Sequence, residues 1–196
     1  DLSFSTLTQA DFSTAVGHRT KFNWANLAKA KLNDTDFSEA IFEGANLTRS
    51  QLNRATLRGA SFQKADLEAV NWEKVNLSGA DMTEANLLNA RVNHAQFDGA
   101  ILIQSQADWA TLHNASLIKT DWAGASMMGI ELEGANLAGA NLAGANLQQA
   151  NLENANLTAV DFTDAQVHGA IFTDVQGLTE GQVAWLQDNG ALNVPG

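Results

Sequence analysis

The chain has 196 residues, no cysteine and a formal net charge of −11. The lack of cysteine excludes disulfides, thiol catalysis and cysteine-based zinc or iron–sulfur centres, and no apolar run approaches the roughly 18 residues of a membrane span. The length would suit one or two ordinary domains, but repeats are sought first because an overlooked repeat gives the wrong fold.

A five-residue repeat runs from Leu2 to Phe172 and is clearest from Ala135 to Leu157, ANLAGANLAGANLQQANLENANL. A helix would spread every fifth leucine around its surface, because five residues advance about 140° beyond a full turn. A flat strand would place successive leucines on opposite faces. Each unit must therefore contain its own bend, so that four units close a coil of about twenty residues. Such coils stack into a square, right-handed solenoid.

Large and small side chains alternate at the positions that point into this solenoid. The central position of the unit carries a large apolar residue everywhere except at Gly17 and Ala107, and the position two residues earlier is usually Ala. This alternation fills a narrow tube without voids. At Gly17 and Ala107 we expect the coil to bulge.

The pattern closely resembles the pentapeptide-repeat family, whose unit is A(D/N)LXX, over nearly the whole chain. The resemblance implies an all-β fold, a right-handed quadrilateral β-helix of about nine coils and a length of roughly 43 Å at the strand spacing. The extent of the repeat places the β-helix at residues 1–175 and leaves residues 176–196 for a C-terminal capping helix and tail. The regular ANLXX arrays are similar to those abundant in cyanobacteria.

Two further positions of the unit carry residues whose roles are structural. The last position is often glycine, which suits a turn that needs positive φ; these are Gly44, Gly59, Gly79, Gly99, Gly124, Gly129, Gly134, Gly139, Gly144 and Gly169. The position before the central residue is usually Asn or Asp, as at Asn26, Asn46, Asp66, Asn86 and Asn146, and such ladders bond to backbone or to one another. A convex rod offers no cleft in which paired carboxylates would act as acid and base. We therefore expect that the protein is not an enzyme and that it binds no cofactor.

The repeat ends after Phe172 and a helix signal follows. Thr179 with Gln182 forms a capping box, which predicts a helix from about Glu180 to Asp188 with Gly190 near its end. Val183, Trp185 and Leu186 would cover the open edge of the last coil. The N-terminal end shows no comparable cap, so we expect either a trimmed terminus or a first coil that packs against something else.

Outward positions carry one apolar cluster that is a candidate contact surface. When the chain is wound into coils of twenty residues, residues twenty positions apart stack in one column. The cluster falls on two adjacent columns. We call it the Trp109 patch, and it comprises Leu88, Ile101, Ile103, Trp109 and Met128. Exposed clusters that contain Trp and Met are enriched at interfaces. The alternative is that Trp109 folds over the thin spot left by Ala107 while the other side chains merely stack. Phe4 and Trp24 form a second stack near the N-terminal end, consistent with self-association or a lost cap.

Charge divides the chain into two unlike halves. Asp1 to Arg91 contains 11 acidic and 10 basic residues, whereas Val92 to Gly196 contains 11 acidic residues and the single cation Lys119. An acidic rod disfavours direct nucleic-acid binding. The resemblance offers another function, because the family includes quinolone-resistance proteins that imitate duplex DNA and bind DNA gyrase. Duplex DNA, however, carries one charge per roughly 1.7 Å of axis, far denser than the acidic column here.

Stacked coils also bring His94, His113 and Glu133 near one another, a conceivable surface metal site that we do not assign. The sequence favours a non-enzymatic scaffold that presents the Trp109 patch to an unknown protein partner; the alternative is an acidic DNA mimic that binds DNA gyrase or another DNA-binding protein. We expect a monomer or weak dimer. The compartment is not fixed by the sequence; the cytoplasm is favoured, and the periplasm and the thylakoid lumen are the alternatives.

Overall fold

The computed structural model describes residues 1–195, and Gly196, the end of the predicted tail, lies outside the described residues. The chain winds through parallel bridges of single residues, one in each pentapeptide, from Thr6↔Asn26 to Asn156↔Gln176. Each bridge joins residues that are 20 positions apart, which is the predicted length of a coil. The fold is therefore the right-handed quadrilateral β-helix that the repeat predicts.

Each pentapeptide contains the bend that the five-residue period requires. In one unit the Ala145 N–H donates to the Leu142 carbonyl at 3.0 Å, and Gly144 between them has φ of 67°. A four-residue turn with positive φ at its third residue is a type II turn. Glycine is favoured there but not required, because Lys29 and Ala69 hold the same position with φ of 59° and 53°.

Hydrogen bonds between coils follow one scheme along the rod. In the unit that begins at Asn141, its own N–H donates to the previous coil at 2.9 Å, while the N–H groups of Leu142 and Gly144 each donate to the next coil at 2.8 Å. The backbone is satisfied only when a coil is present on both sides. The last coil must therefore find other acceptors and donors.

The Asn and Asp side chains bond in both of the predicted ways. The Asn46 Oδ1 accepts the Thr48 N–H at 2.9 Å, two residues along the chain. Across coils, the Asn86 Nδ2 donates to the Asp66 Oδ1 at 3.0 Å. These side chains fix the turns and join neighbouring coils, which is a structural role.

The core is a column of stacked side chains inside the rod. The rings of Phe22, Phe42 and Phe62 lie one above another, with centroids 4.9 and 4.7 Å apart and ring planes within 5° and 2° of parallel. This separation equals the strand spacing, roughly 4.8 Å. The coil spacing thus sets the aromatic stacking distance.

The expected bulges at Gly17 and Ala107 do not occur, so that prediction is wrong. The Gly17 N–H donates to Asp36 at 2.8 Å and the Ala107 N–H donates to Ser126 at 2.7 Å, as in a regular coil. At Gly17 the ring of Phe37 occupies the space that a side chain would need. At Gly17 a neighbouring large side chain therefore fills the space, and the backbone keeps its regular path.

The C-terminal helix α1 spans Glu180–Asp188, with Thr179 as N-cap and a complete capping box to Gln182, as predicted. Leu186 is fully buried and Trp185 packs against the core. Val183 is only half-buried and is not among the residues that pack against that core. The helix therefore covers the last coil mainly through two side chains.

The chain after α1 completes part of the edge of the last coil. The Leu192 N–H donates to Ala170 at 2.7 Å, and the Leu192 carbonyl accepts the Phe172 N–H at 2.9 Å. The Gly190 carbonyl accepts the Gly169 N–H at 2.9 Å. Among residues 1–195, no helix is long and apolar enough to cross a membrane.

Candidate interaction surfaces

Trp109 is half-exposed, with 50% of its surface accessible. It occupies the positive-φ position of its turn, and its ring lies against Gly129 in the next coil so closely that a Cβ there would overlap the ring. Gly129 is buried beneath it. The Trp109 ring is thus oriented by its contact with Gly129. The sequence signal for this contact is the 20-residue spacing between the tryptophan and the glycine.

Leu88 and Met128 lie in one column beside Trp109, with Asp108 between them. Both apolar side chains are half-buried. The Asp108 carboxylate accepts the Met128 N–H at 2.8 Å and the Ser126 hydroxyl at 2.6 Å. The carboxylate is therefore held by the coil, and the apolar surface continues past it.

Ile101 and Ile103 lie on the preceding side of the same coil. Ile101 is exposed, with 39% of its surface accessible, and is bridged by Asp81 on one side and Asp121 on the other. Ile103 is half-buried at the next turn. The structure brings two parts of the Trp109 patch to neighbouring sides of the rod, one around Trp109 and one around Ile101.

Trp24 repeats the arrangement of Trp109 near the other end. Its φ is 57°, 54% of its surface is accessible, and its ring lies against Gly44 in the next coil. Phe4 occupies the same column one coil earlier and is 76% exposed. Trp24 is consequently a close structural match for Trp109 in a different setting.

The candidate metal residues His94, His113 and Glu133 do not form a site. His94 and Glu133 are exposed, and the part of the chain that the structure describes holds no group of three or more His, Asp or Glu side chains placed around a cation. The His113 Nε2 is buried without a hydrogen-bond partner. The coil stacking brings these residues into neighbouring columns but does not converge their side chains.

The acidic column on the side of Ile101 is interrupted by neutral residues. Asp81, Ile101, Asp121, Asn141 and Asp161 follow one another in the bridge ladder. A carboxylate therefore recurs only every second coil, roughly 9.6 Å at the strand spacing. The Asn141 Nδ2 donates to the Asp121 Oδ1 at 2.9 Å, so part of this charge is tied up within the ladder.

Local hydrogen bonds lower the pKa of two of these carboxylates, those of Asp81 and Asp161. Burial raises the pKa of Asp81, but hydrogen bonds from the Gln63 side chain and from the Thr83 hydroxyl and N–H outweigh it and hold that pKa below its usual value. The Thr163 hydroxyl, followed by the Thr163 N–H, likewise lowers the pKa of Asp161. A general acid at neutral pH needs a raised pKa, so neither group is suited to that role.

Comparison with known proteins identifies the repeats directly. The family model described as pentapeptide repeats matches in 8 copies, over residues 1–34, 20–59, 30–68, 60–99 and 135–174. A search of curated proteins finds no significant match.

The solved structure of one similar protein, QnrB1, has the same architecture. A trypsin-treated variant of QnrB1, a plasmid-mediated fluoroquinolone resistance protein, is 19% identical to this chain. The match has a TM-score of 0.81 and covers 94% of this chain and 91% of that one. HetL, from the cyanobacterium Nostoc sp. strain PCC 7120 and involved in heterocyst differentiation regulation, is 31% identical over 86% of this chain and 85% of its own, with a TM-score of 0.46. A protein of the Arabidopsis thaliana thylakoid lumen is 33% identical over 59% of this chain and 78% of its own, with a TM-score of 0.47.

Proposed function

Because this chain belongs to the pentapeptide-repeat family, we propose that it is a non-enzymatic scaffold that binds a protein partner through the Trp109 patch. The observation that carries the proposal is the Trp109 ring, half-exposed yet held against Gly129. Tryptophan is among the residues that contribute most to binding at interfaces. A ring that is already oriented loses little conformational freedom when a partner covers it.

The surroundings of Trp109 support a protein contact. Leu88 and Met128 are half-buried on either side of Asp108, whose carboxylate is bonded to the coil. A partner can cover these side chains without leaving Asp108 stripped of hydrogen bonds. The patch therefore combines an aromatic anchor with adaptable apolar neighbours, of which methionine is the most adaptable.

The proposal assigns no reaction to the chain. The carboxylates with lowered pKa values, such as Asp36 and Asp81, accept hydrogen bonds from neighbouring side chains and backbone. They are held as fixed acceptors that stabilise turns and coils. We accordingly assign them structural roles.

The competing proposal is an acidic DNA mimic that binds DNA gyrase or another DNA-binding protein. The likeness to QnrB1 supports a shared fold and carries no partner over. Along this one ladder the carboxylates of Asp81, Asp121 and Asp161 recur roughly every 9.6 Å, whereas phosphates recur about every 3.4 Å along one DNA strand. The charge pattern consequently favours the scaffold.

One experiment separates the two proposals. Tagged wild-type protein and the variants Trp109→Glu and Trp24→Glu would be used to capture partners from a lysate of the source organism, with washes at low and high salt. Trp24→Glu is the matched control, because Trp24 also packs its ring on a glycine of the next coil.

Under the scaffold proposal, a partner captured by wild type and by Trp24→Glu resists high salt and is lost with Trp109→Glu, since apolar contacts are screened little by salt. A partner that is still captured by the Trp109→Glu variant and is removed by high salt would overturn the scaffold proposal in favour of the DNA mimic.

A further inference from the structure

A groove of about 520 Å³ lies between the last coil and the first turns of α1. Asp161, Phe162 and Asp164 line it on the coil side, and Gly181, Gln182 and Trp185 line it on the helix side. Neither the repeat nor the Trp109 patch accounts for it. The groove lies beside the edge where a further coil would pair.

Two backbone donors of residues that line this groove have no partner among the described residues. The N–H groups of Phe162 and Asp164 donate no hydrogen bond, whereas their equivalents one coil earlier, Leu142 and Gly144, each donate to the following coil at 2.8 Å. The helix does not replace these acceptors. An unpaired strand edge is a template for pairing with another chain.

The helix does supply one of the missing partners. The Gln182 Nε2 donates to the Val160 carbonyl at 2.8 Å; in the preceding coil the equivalent carbonyl, of Ala140, accepts the backbone N–H of Asp161 at 3.0 Å. Gln182 thus takes the place of one backbone donor of a further coil. The edge is satisfied at that point and open at the next two donors.

The groove has an aromatic wall and an acidic rim. The rings of Phe162 and Trp185 stack with centroids 6.2 Å apart. Asp161 and Asp164 are the only charged side chains in the lining, and Glu180 lies in the first turn of α1. The lowered pKa of Asp161, caused by its bonds to Thr163, keeps it ionised at neutral pH.

We propose that this groove binds a short, extended, basic segment of another protein, which pairs with the last coil as an added strand. The Phe162 and Asp164 N–H groups require two acceptor carbonyls two residues apart, and the aspartates complement lysine or arginine side chains. Backbone pairing of this kind gives affinity while side chains on alternate positions give specificity. A segment of about six residues, roughly 20 Å of extended chain, is long enough to offer both carbonyls.

This site is distinct from the Trp109 patch, because Asp161 lies three bridges beyond Ile101 in the same ladder, roughly 14 Å at the strand spacing. Loss of one site would leave the other intact. The two proposals therefore fail independently.

The probe is a capped hexapeptide of alternating lysine and valine, with the same peptide carrying glutamate for lysine as the charge control. Amide exchange of the full chain is followed by NMR, and affinity is measured by titration. Gly181→Trp would fill the groove, because a Cβ at Gly181 meets nothing within 4 Å; Gly181→Ala is its matched control.

We expect the Phe162 and Asp164 amides to exchange faster than those of Leu142 and Gly144 in the free protein, and at least about tenfold more slowly when the lysine peptide is bound. Gly181→Trp should weaken binding at least about tenfold, Gly181→Ala should not, and the glutamate peptide should bind at least tenfold more weakly than the lysine peptide.

Equal binding of both peptides, or binding that Gly181→Trp leaves unchanged, would overturn the proposal. Protection of Phe162 that grows with protein concentration in the absence of peptide would overturn it too, since the occupant would then be a second copy of the chain. If Gly181→Trp does not fold, the double variant Asp161→Asn with Asp164→Asn takes its place, with the same weakening expected.

Discussion

Replacing Gly129 by alanine should destabilise the protein more than the same change at other glycines of the repeat. The new Cβ would overlap the Trp109 ring, which must then leave its position. About half of the Trp109 surface is covered at present, so on the order of 100 Å² would become exposed. At about 25 cal/mol per Å² this loss amounts to roughly 2.5 kcal/mol.

Gly79→Ala is the matched control. Gly79 has φ of 68° and Gly129 has φ of 63°, so both substitutions place alanine in the same strained region, but a Cβ at Gly79 meets nothing within 4 Å. Ala69 already occupies this conformation elsewhere in the rod. The strain of about 1–2 kcal/mol is partly offset by the lower entropy of the unfolded chain, so the net cost at Gly79 should be within about 1 kcal/mol.

The assay is urea unfolding followed by tryptophan fluorescence and circular dichroism, with Trp109→Ala added to close a double-mutant cycle. Gly129→Ala should lower the free energy of unfolding by about 2–3 kcal/mol, and much of that loss should vanish when Trp109 is already alanine. Equal losses for Gly129→Ala and Gly79→Ala, or the absence of coupling with Trp109, would refute the reasoning. A repeat rod can unfold in stages, so the comparison uses transitions that both probes share.

Three further predictions concern the cap, the core and pH. Leu186→Ala should destabilise the cap by about 2–5 kcal/mol, because Leu186 is fully buried, and hydrogen exchange of the last coil should rise. Ser105→Ala should be neutral or stabilising in thermal unfolding, since the Ser105 hydroxyl is buried without a partner, whereas Thr120→Ala should cost about 1–3 kcal/mol by removing a bonded hydroxyl. The pKa of Asp81 is lower in the folded state, so its stabilisation is complete above about pH 4 and should disappear on acidification; Asp81→Asn should flatten that part of the pH profile.

The rod could be predicted from the sequence because one short-range signal repeats along almost the whole chain. The five-residue period fixes which side chains point inward, and residues such as Leu47 and Leu142 are fully buried as expected. The capping helix was equally accessible, because Thr179 and Gln182 form a local motif whose meaning does not depend on distant residues.

Features that depend on the three-dimensional placement of irregular segments were not predictable in this way. The pairing of Leu192 with Ile171 follows from where α1 returns the chain, and no repeat marks it. The unpaired donors at Phe162 and Asp164 likewise depend on how α1 lies across the last coil. The bulge expected at Gly17 failed because the five-residue register does not reveal that the Phe37 ring fills the space.

The pairing of Trp109 with Gly129 lies between these cases. Its signal, a 20-residue separation, is present in the sequence, as it is for Trp24 and Gly44. It becomes visible only when the coil length is treated as a contact rule for outward residues as well as inward ones. That the Trp109 patch binds a protein partner stays a prediction.

The most direct test of that prediction is site-specific photo-crosslinking in the native lysate. A photoreactive amino acid would replace Met128, inside the patch, or Ala138, ten residues later on the opposite corner of the coil. If the Trp109 patch is the functional surface, one and the same partner is crosslinked from position 128, is absent at position 138, and disappears when Trp109→Glu is added. A partner crosslinked equally from both positions, or from 138 alone, would contradict the claim that the Trp109 patch is the functional surface.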